Sequence, residues 1–368
     1  MILDFCKNPA IVTTDSSSVT ASPTHNLVTD SLTATAGQFP DFQPHRLLRN
    51  GNLQTLAAAI LKGKQYPYRA LRRPVLLEDG DTMILHDDRP DNWQPTSPTA
   101  ILIHGLAGSH QSAYMIRIAG KLNEAGVRTF RIDMRGSGSG EGLARKTYHA
   151  GCSHDLRAAL LRVAQICPGS PIHLVGFSIG GNVALKMMGE TPDQLPRQLS
   201  GSVVINPPID LGYCVERFSK GTARFYDGHV VKALYRQVCR SDLLVEQAPH
   251  VVDARMPRGQ REFDSLYTAS VWGFDSVDQF YAETSSRHVI SNVRVPTLLI
   301  ASRDDPLVPV ELFEQMEPSD SITLRLTDHG GHLGFIGQPS TDPDRRWMDW
   351  RIVDWINACN CAQNSTAA

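Results

Sequence analysis

Several things the chain lacks narrow what it can be. No apolar run approaches the roughly 18–20 residues that a membrane-spanning helix needs. There is no excess of positive charge: 36 Lys and Arg stand against 38 Asp and Glu, a formal net charge of −2, which gives no electrostatic footprint for nucleic acid. Cysteine is sparse and unpatterned. The seven cysteines, at 6, 152, 167, 214, 239, 359 and 361, contain no C-x-x-C pair, and an odd, scattered set suits a reducing cytosol better than a disulfide framework. Cys359 and Cys361 stand close together but without the further ligands a metal site needs. The start, Met1-Ile2-Leu3-Asp4-Phe5, lacks the basic region and long apolar core of a secretory signal. No Lys or Arg occurs between Lys7 and Arg46, against an Arg-rich transit peptide. These absences point to a soluble, cytoplasmic protein with no nucleic-acid partner and no transmembrane segment. The Gly-rich stretch 135–142 fails both phosphate-loop patterns: Glu141 stands where a third glycine is required, and no G-K-[ST] follows. It reads as a flexible turn after a strand.

What is present centres on Gly176-Phe177-Ser178-Ile179-Gly180. A short apolar segment, Pro171 to Val175, precedes it and reads as a buried strand; Gly181 to Met188 follows and reads as a helix. A serine in G-x-S-x-G between strand and helix is a nucleophile elbow, whose sharp turn demands small residues two before and two after the serine. Ser178 is therefore the candidate nucleophile.

Around the elbow, strand-like and helix-like segments alternate. The apolar segments at 75–77 and 83–85 flank Asp79-Gly80-Asp81 as a hairpin, and strands are expected near 100–103, 129–132, 202–205, 297–300 and 322–326. Helices are expected over 113–125 and 155–166. This alternation predicts an α/β fold, a mostly parallel sheet covered by helices on both faces. From Pro207 to about 292 the rhythm breaks into helical patterns, including 231–240, with no apolar strand. An insertion there, between two sheet strands, would roof the carboxyl ends of the strands, where ligands bind in open parallel sheets. The expected organisation is a Ser- and Thr-rich disordered tail over 1–38, a core from 39–206 and 295–358, a helical cap over 207–294 and a C-terminal tail over 359–368.

A serine hydroxyl needs a base, the base needs an acid, and the expected chain order is Ser, then Asp or Glu, then His. The stretch Asp328-His329-Gly330-Gly331-His332 follows the last predicted strand. His332 is favoured over His329, because two glycines leave its imidazole room to swing over the strand ends. Asp304 and Asp305 follow the preceding strand; Asp305, fixed ahead of Pro306, is favoured, with Asp210 an outside candidate. His104-Gly105-Leu106-Ala107-Gly108 leaves the strand at 100–103 in the place of an oxyanion loop. The expected donors are the backbone N–H groups of Leu106 and Ile179. His104 reads as a buried hydrogen-bonding residue.

Four stretches give the chain a resemblance to a known family: Asn52-Leu53-Gln54-Thr55 after Pro44-His45-Arg46; Tyr148-His149-Ala150-Gly151 with Asp155-Leu156; Asp304-Asp305-Pro306; and His329-Gly330-Gly331-His332 with Gly334-Phe335-Ile336-Gly337. From about residue 40 to 358 the chain resembles the α/β-hydrolase fold, and within it the YheT-like esterase branch. The resemblance implies Ser178, Asp305 and His332 as a triad and a small-molecule carboxylic ester or acyl thioester as substrate. Some relatives carry an N-terminal membrane anchor, which this chain does not show. Asn52 departs from the histidine expected before Leu-Gln-Thr.

The leading expectation is a serine esterase that needs no cofactor and no metal. Two others stand beside it: an acyltransferase passing the acyl group to an alcohol, a role ascribed to some relatives, and a non-catalytic module keeping the fold for ligand capture.

Overall fold

The computed structural model describes residues 31–367 except 219, 220, 222 and 254. Eight strands form one sheet in the order β1-β2-β4-β3-β5-β6-β7-β8. β1 (Leu71–Leu76) and β2 (Thr82–Asp88) are the predicted hairpin, lengthened at its open end, and β2 also runs antiparallel to β4. β3 (Thr99–Ile103), β4 (Arg128–Asp133), β5 (Ile172–Phe177), β6 (Leu199–Ile205), β7 (Thr297–Ser302) and β8 (Ile322–Thr327) are parallel.

The central strands are buried throughout because both faces of the sheet are covered, and their side chains alternate between two cores. Ile101, Ile103 and Leu174 point into one core, while Ala100, Leu102 and Phe177 point into the other. The first core is closed by α4 (Ser153–Ile166) and α5 (Ile179–Glu190), whose Leu156, Leu160, Val183 and Met187 recur at helical spacing. The second is closed by α3 (Ala113–Glu124) and α14 (Trp347–Ala367), through Met115, Ile118, Leu122, Ile352, Trp355 and Ile356. A buried ion cluster ties these two helices: Arg117 and Lys121 both donate to Asp349, at 2.5–3.1 Å.

At both ends of the described residues helix extends further than composition suggests. Residues 31–37 form helix α1, inside the stretch read as a disordered tail. Leu32 and Ala36, one turn apart, are each 2% exposed, and Arg325 of β8 donates to the Ala36 carbonyl. Residues 1–30 lie outside the described residues. At the other end α14 continues past 358, because Cys359 is buried near Gly201 of β6 and Asn360 bonds His173 of β5. The second helix, α2 (Gly51–Ile60), was not expected from periodicity; its start is capped by the Asn50 side chain.

Between β6 and β7 lies the expected helical insertion. Its helices are α6 (Leu211–Phe218), α7 (Ala223–Cys239), α8 (Asp242–Gln247), α9 (Pro249–Asp253), α10 (Gln260–Phe263), α11 (Ala269–Trp272) and α12 (Val277–Thr284). A short α13 (Glu311–Glu314) follows β7. Val231, Leu234, Val238, Leu244, Phe263 and Tyr267 give the insertion a small core of its own. Among the described residues no helix is long and apolar enough to cross a membrane.

Candidate active site

Ser178 stands between β5 and α5 with φ +51° and ψ −122°, a conformation costing an L-residue on the order of 1–3 kcal/mol. The surroundings impose it. Ser178 N–H donates to the Ile205 carbonyl of β6 at 2.8 Å, and the Ser178 carbonyl accepts from Gly181 and Asn182. The two glycines of the motif are obligatory: a Cβ on Gly176 would lie 2.6 Å from Gly181 Cα, and one on Gly180 would lie 2.5 Å from the Ile103 carbonyl oxygen. The turn thus presses against β3, and Ser178 is left at the carboxyl edge of the sheet. Among the described residues its Oγ makes no hydrogen bond.

His332 and Asp305 meet at this edge. Nδ1 of His332 donates to Oδ2 of Asp305 at 2.8 Å, with the two side chains 10% and 1% exposed. A carboxylate only accepts, so the proton on this edge of the ring is on Nδ1 and Nε2 is left as the basic nitrogen. The other carboxylate oxygen accepts the backbone N–H groups of Leu307 and Val308 at 2.7 and 3.1 Å, which fixes the acid in the turn made by Pro306. The competing candidates are engaged elsewhere. His329 faces Asp304 at 3.3 Å, and Asp210 holds the Tyr213 N–H and Arg287.

The histidine loop is held by residues that periodicity did not single out. Asn206, directly after β6, donates to the Gly331 carbonyl at 2.9 Å, as does the Ser302 hydroxyl. Thr55 of α2 accepts the His332 N–H at 2.8 Å while donating to Gly51 within its own helix. Gln54, fully buried, donates to the carbonyls of Leu48 and Ile336 and accepts from Ile336 N–H. The Asn52-Leu53-Gln54-Thr55 stretch carried a resemblance without a role; in the structure Gln54 and Thr55 clamp the loop bearing His332.

The loop after β3 presents one free donor and the start of α5 a second. Leu106 lies between two residues whose N–H groups are taken: Gly105 donates to the Tyr114 hydroxyl at 2.8 Å, and Ala107, at φ +56°, donates to the Tyr148 hydroxyl at 2.7 Å. Burial pushes the Tyr114 phenol up to about 12 and Tyr148 higher still, so both stay neutral acceptors. The Leu106 N–H engages no acceptor among the described residues. Neither does that of Ile179, which has no intrahelical acceptor in the first turn of α5. His104 is wholly buried as expected, bonding Gly105 O at 2.7 Å and Ser137 Oγ at 3.0 Å, and burial lowers its pKa.

Farther along this loop, His110 donates its N–H and Nδ1 to Asp133 at 2.7 Å each. His86 Nε2 reaches the same carboxylate at 3.0 Å, and the two imidazoles stack 3.5 Å apart. His86, His110 and Asp133 are a buried group with the chemistry of metal ligands, their donor atoms within 4.8 Å of one another. Asp133 also accepts Ser139 N–H, so its oxygens are saturated by four donors, which hold the carboxyl far below the usual range despite burial. The group fastens β2, β4 and the loop after β3 together. The Gly-rich turn beyond β4 opens on Arg135, 1% exposed, which bonds Asp79, Asp81 and Asp155 at 2.6–2.8 Å.

The helical insertion covers Leu106 and Ile179. Between them and Leu234, Phe263 and Tyr281 lies a cavity of about 30 Å³, the size of a single water's share of space. One turn of π-helix, Asp264–Thr268, brings a buried carboxyl to its wall. Asp264 accepts the Thr268 and Tyr281 hydroxyls at 2.8 and 2.9 Å, yet burial raises its pKa to about 6. His149, also on the wall and packed on Trp272 at 4.4 Å, is held near a pKa of about 3 by burial and stays neutral.

Comparison with known proteins follows the same lines. Residues 98–339 match the family model described as alpha/beta hydrolase fold. The chain is 26% identical over 319 residues to "Putative esterase YheT" of Escherichia coli (strain K12), covering 86% of this chain and 93% of that protein. It is 29% identical over 284 residues to "Medium-chain fatty acid ethyl ester synthase/esterase 2" of Saccharomyces cerevisiae, covering 70% and 62%. Among solved structures, the alpha/beta hydrolase GrgF from Penicillium sp. sh18 superposes with a TM-score of 0.52 at 18% identity, over 79% of this chain and 98% of that one. With the strand order, the serine turn and the family match in agreement, the chain belongs to the alpha/beta hydrolase fold family.

Proposed function

We propose that the protein is a serine hydrolase of carboxylic acyl esters or thioesters, acting through an acyl-enzyme on Ser178. One observation carries this reading: a strained serine at the carboxyl edge of the sheet shares that edge with a buried Asp–His pair and two unbonded backbone N–H groups. Nε2 of His332 takes the Ser178 proton as Oγ attacks the carbonyl carbon, and Asp305 stabilises the imidazolium through Nδ1–H. The carbonyl oxygen becomes an oxyanion facing the N–H groups of Leu106 and Ile179, each such donor being worth on the order of 3–4 kcal/mol in a transition state. His332 returns the proton to the leaving oxygen or sulfur. A water activated by the same nitrogen then releases the acid. The Ser178–His332 hydrogen bond, not formed in this state, is of the kind that tightens when substrate binds.

Residues 207–294 act as the cap in this proposal and select the acyl group. The relative that makes and cleaves fatty acid ethyl esters supports a second reading, in which an alcohol replaces water in the second step. A short p-nitrophenyl ester, assayed with and without ethanol, tests both. Ser178→Ala is expected to abolish turnover while the circular dichroism spectrum stays native; undiminished turnover would remove Ser178 from the chemistry. Ethyl ester accumulating in preference to free acid would favour transfer over hydrolysis.

A further inference from the structure

Helix α2 is built inside out. Its inward face carries Gly51, Gln54 and Thr55, the small and polar residues that clamp the His332 loop. Its outward face carries Leu53, Leu56 and Ile60, spaced i, i+3 and i+7, and these are 47%, 48% and 65% exposed. The apolar surface continues at both ends of the helix, with Leu47 at 78% and Leu61 at 52%. It reaches the cap as well: Tyr226 of α7 donates to Asn52 Oδ1 at 3.2 Å, and its neighbour Phe225 is 74% exposed. A surface helix of a globular protein ordinarily turns such a stripe inward, and a contiguous exposed patch of this kind marks an interaction site.

Charge says what the patch meets. From Phe42 to Leu77 the chain contains no acidic residue and seven basic ones, in a protein whose net charge is −2. Arg46, Arg49 and Lys62 bracket the helix, are exposed, and form no ion pair among the described residues. Lys64 pairs with Glu124 at 2.5 Å, both exposed. A second copy of the chain would bring this basic rim against itself. An anionic bilayer offers what the rim and the stripe need together: headgroup phosphates for the arginines and lysine, and an acyl boundary for the leucines and isoleucine.

We propose that the outward face of α2, with Leu47, Leu61 and Phe225, is a peripheral docking surface for anionic lipid membranes. It places the seam between α2 and the cap, and hence the His332 loop, at the lipid interface. No residue of this surface takes part in the proposed chemistry, so membrane binding stands or falls separately from ester hydrolysis.

Co-sedimentation of the full chain with phosphatidylcholine vesicles, with and without phosphatidylglycerol, tests it. Binding is expected to the phosphatidylglycerol vesicles and to weaken as salt is raised. Leu56→Glu/Ile60→Glu and Arg46→Glu/Arg49→Glu should each lower that binding by about tenfold or more. Turnover of a short soluble ester, measured without vesicles, should be unchanged within about twofold, which shows the variants folded. Wild type left in the supernatant with both vesicle types would overturn the proposal, as would variants that bind like wild type. So would a dimer in light scattering that Leu56→Glu/Ile60→Glu dissolves, which would give the face to a second copy.

Discussion

Thr55 shows how a residue with no role in the proposed chemistry can set the position of the proposed base. Its hydroxyl accepts from the His332 N–H and donates to Gly51, so one side chain joins the histidine loop to α2 across 277 residues of sequence. Thr55→Val keeps the shape and removes both bonds, leaving a backbone N–H short of an acceptor at a cost of about 1–3 kcal/mol. The expected result is a loss of about tenfold in kcat with KM nearly unchanged, and recovery in Thr55→Ser. A purely structural role would lower the thermal midpoint without the split between kcat and KM. At this scale the sequence was legible where constraints are local. Gly176 is demanded by Gly181, five residues on, and the turn of Asp305 by Pro306 beside it, whereas Gly180 is demanded by the Ile103 carbonyl of β3. Thr55, Gln54 and Asn206 were illegible because their partners lie far along the chain and only the fold brings them close.

Among the elements, the cap was readable as an insertion because helical patterning without apolar strands interrupts the alternation between β6 and β7. How it closes was not readable. The cavity at Leu106 and Ile179 is narrowed by Phe263, Leu234 and Tyr281, whose approach depends on packing of short helices, and the π-turn at Asp264 has no sequence signature. Asp264 gives this element a measurable property. Its folded pKa, raised to about 6 by burial, exceeds the roughly 3.9 of an unfolded aspartate, so the folded state holds the proton longer. The contribution of Asp264 to stability is therefore greatest below about pH 4, declines as pH rises to about 6, and stays lowered above that. Asp264→Asn removes the burden. It should raise stability by about 2 kcal/mol at about pH 8 and by little at about pH 4, read as a pH-dependent difference in denaturant midpoints. An equal effect at both values would show that the carboxyl is not the proton-binding group.

For the molecule as a whole, the alternation of strands and helices was enough to predict a mostly parallel sheet covered on both faces, and the structure has that sheet. The helices at 31–37 and past 358 were not legible because they rest on docking. α1 is held by Arg325 and the second core, and α14 outlasts its expected end because Cys359 and Asn360 meet β6 and β5. The candidate site is likewise a property of the whole: Ser178 after β5, Asp305 after β7 and His332 after β8 each follow a parallel strand of one sheet, and Asp305 and His332 meet there. A fluorophosphonate probe, followed by peptide mass spectrometry, asks whether they work as one unit. Wild type should be labelled at Ser178, and His332→Ala should be labelled slower by about a hundredfold or more, because the hydroxyl has lost its base. Folded wild-type protein that stays unlabelled at Ser178, or a His332→Ala variant labelled at the wild-type rate, would contradict it.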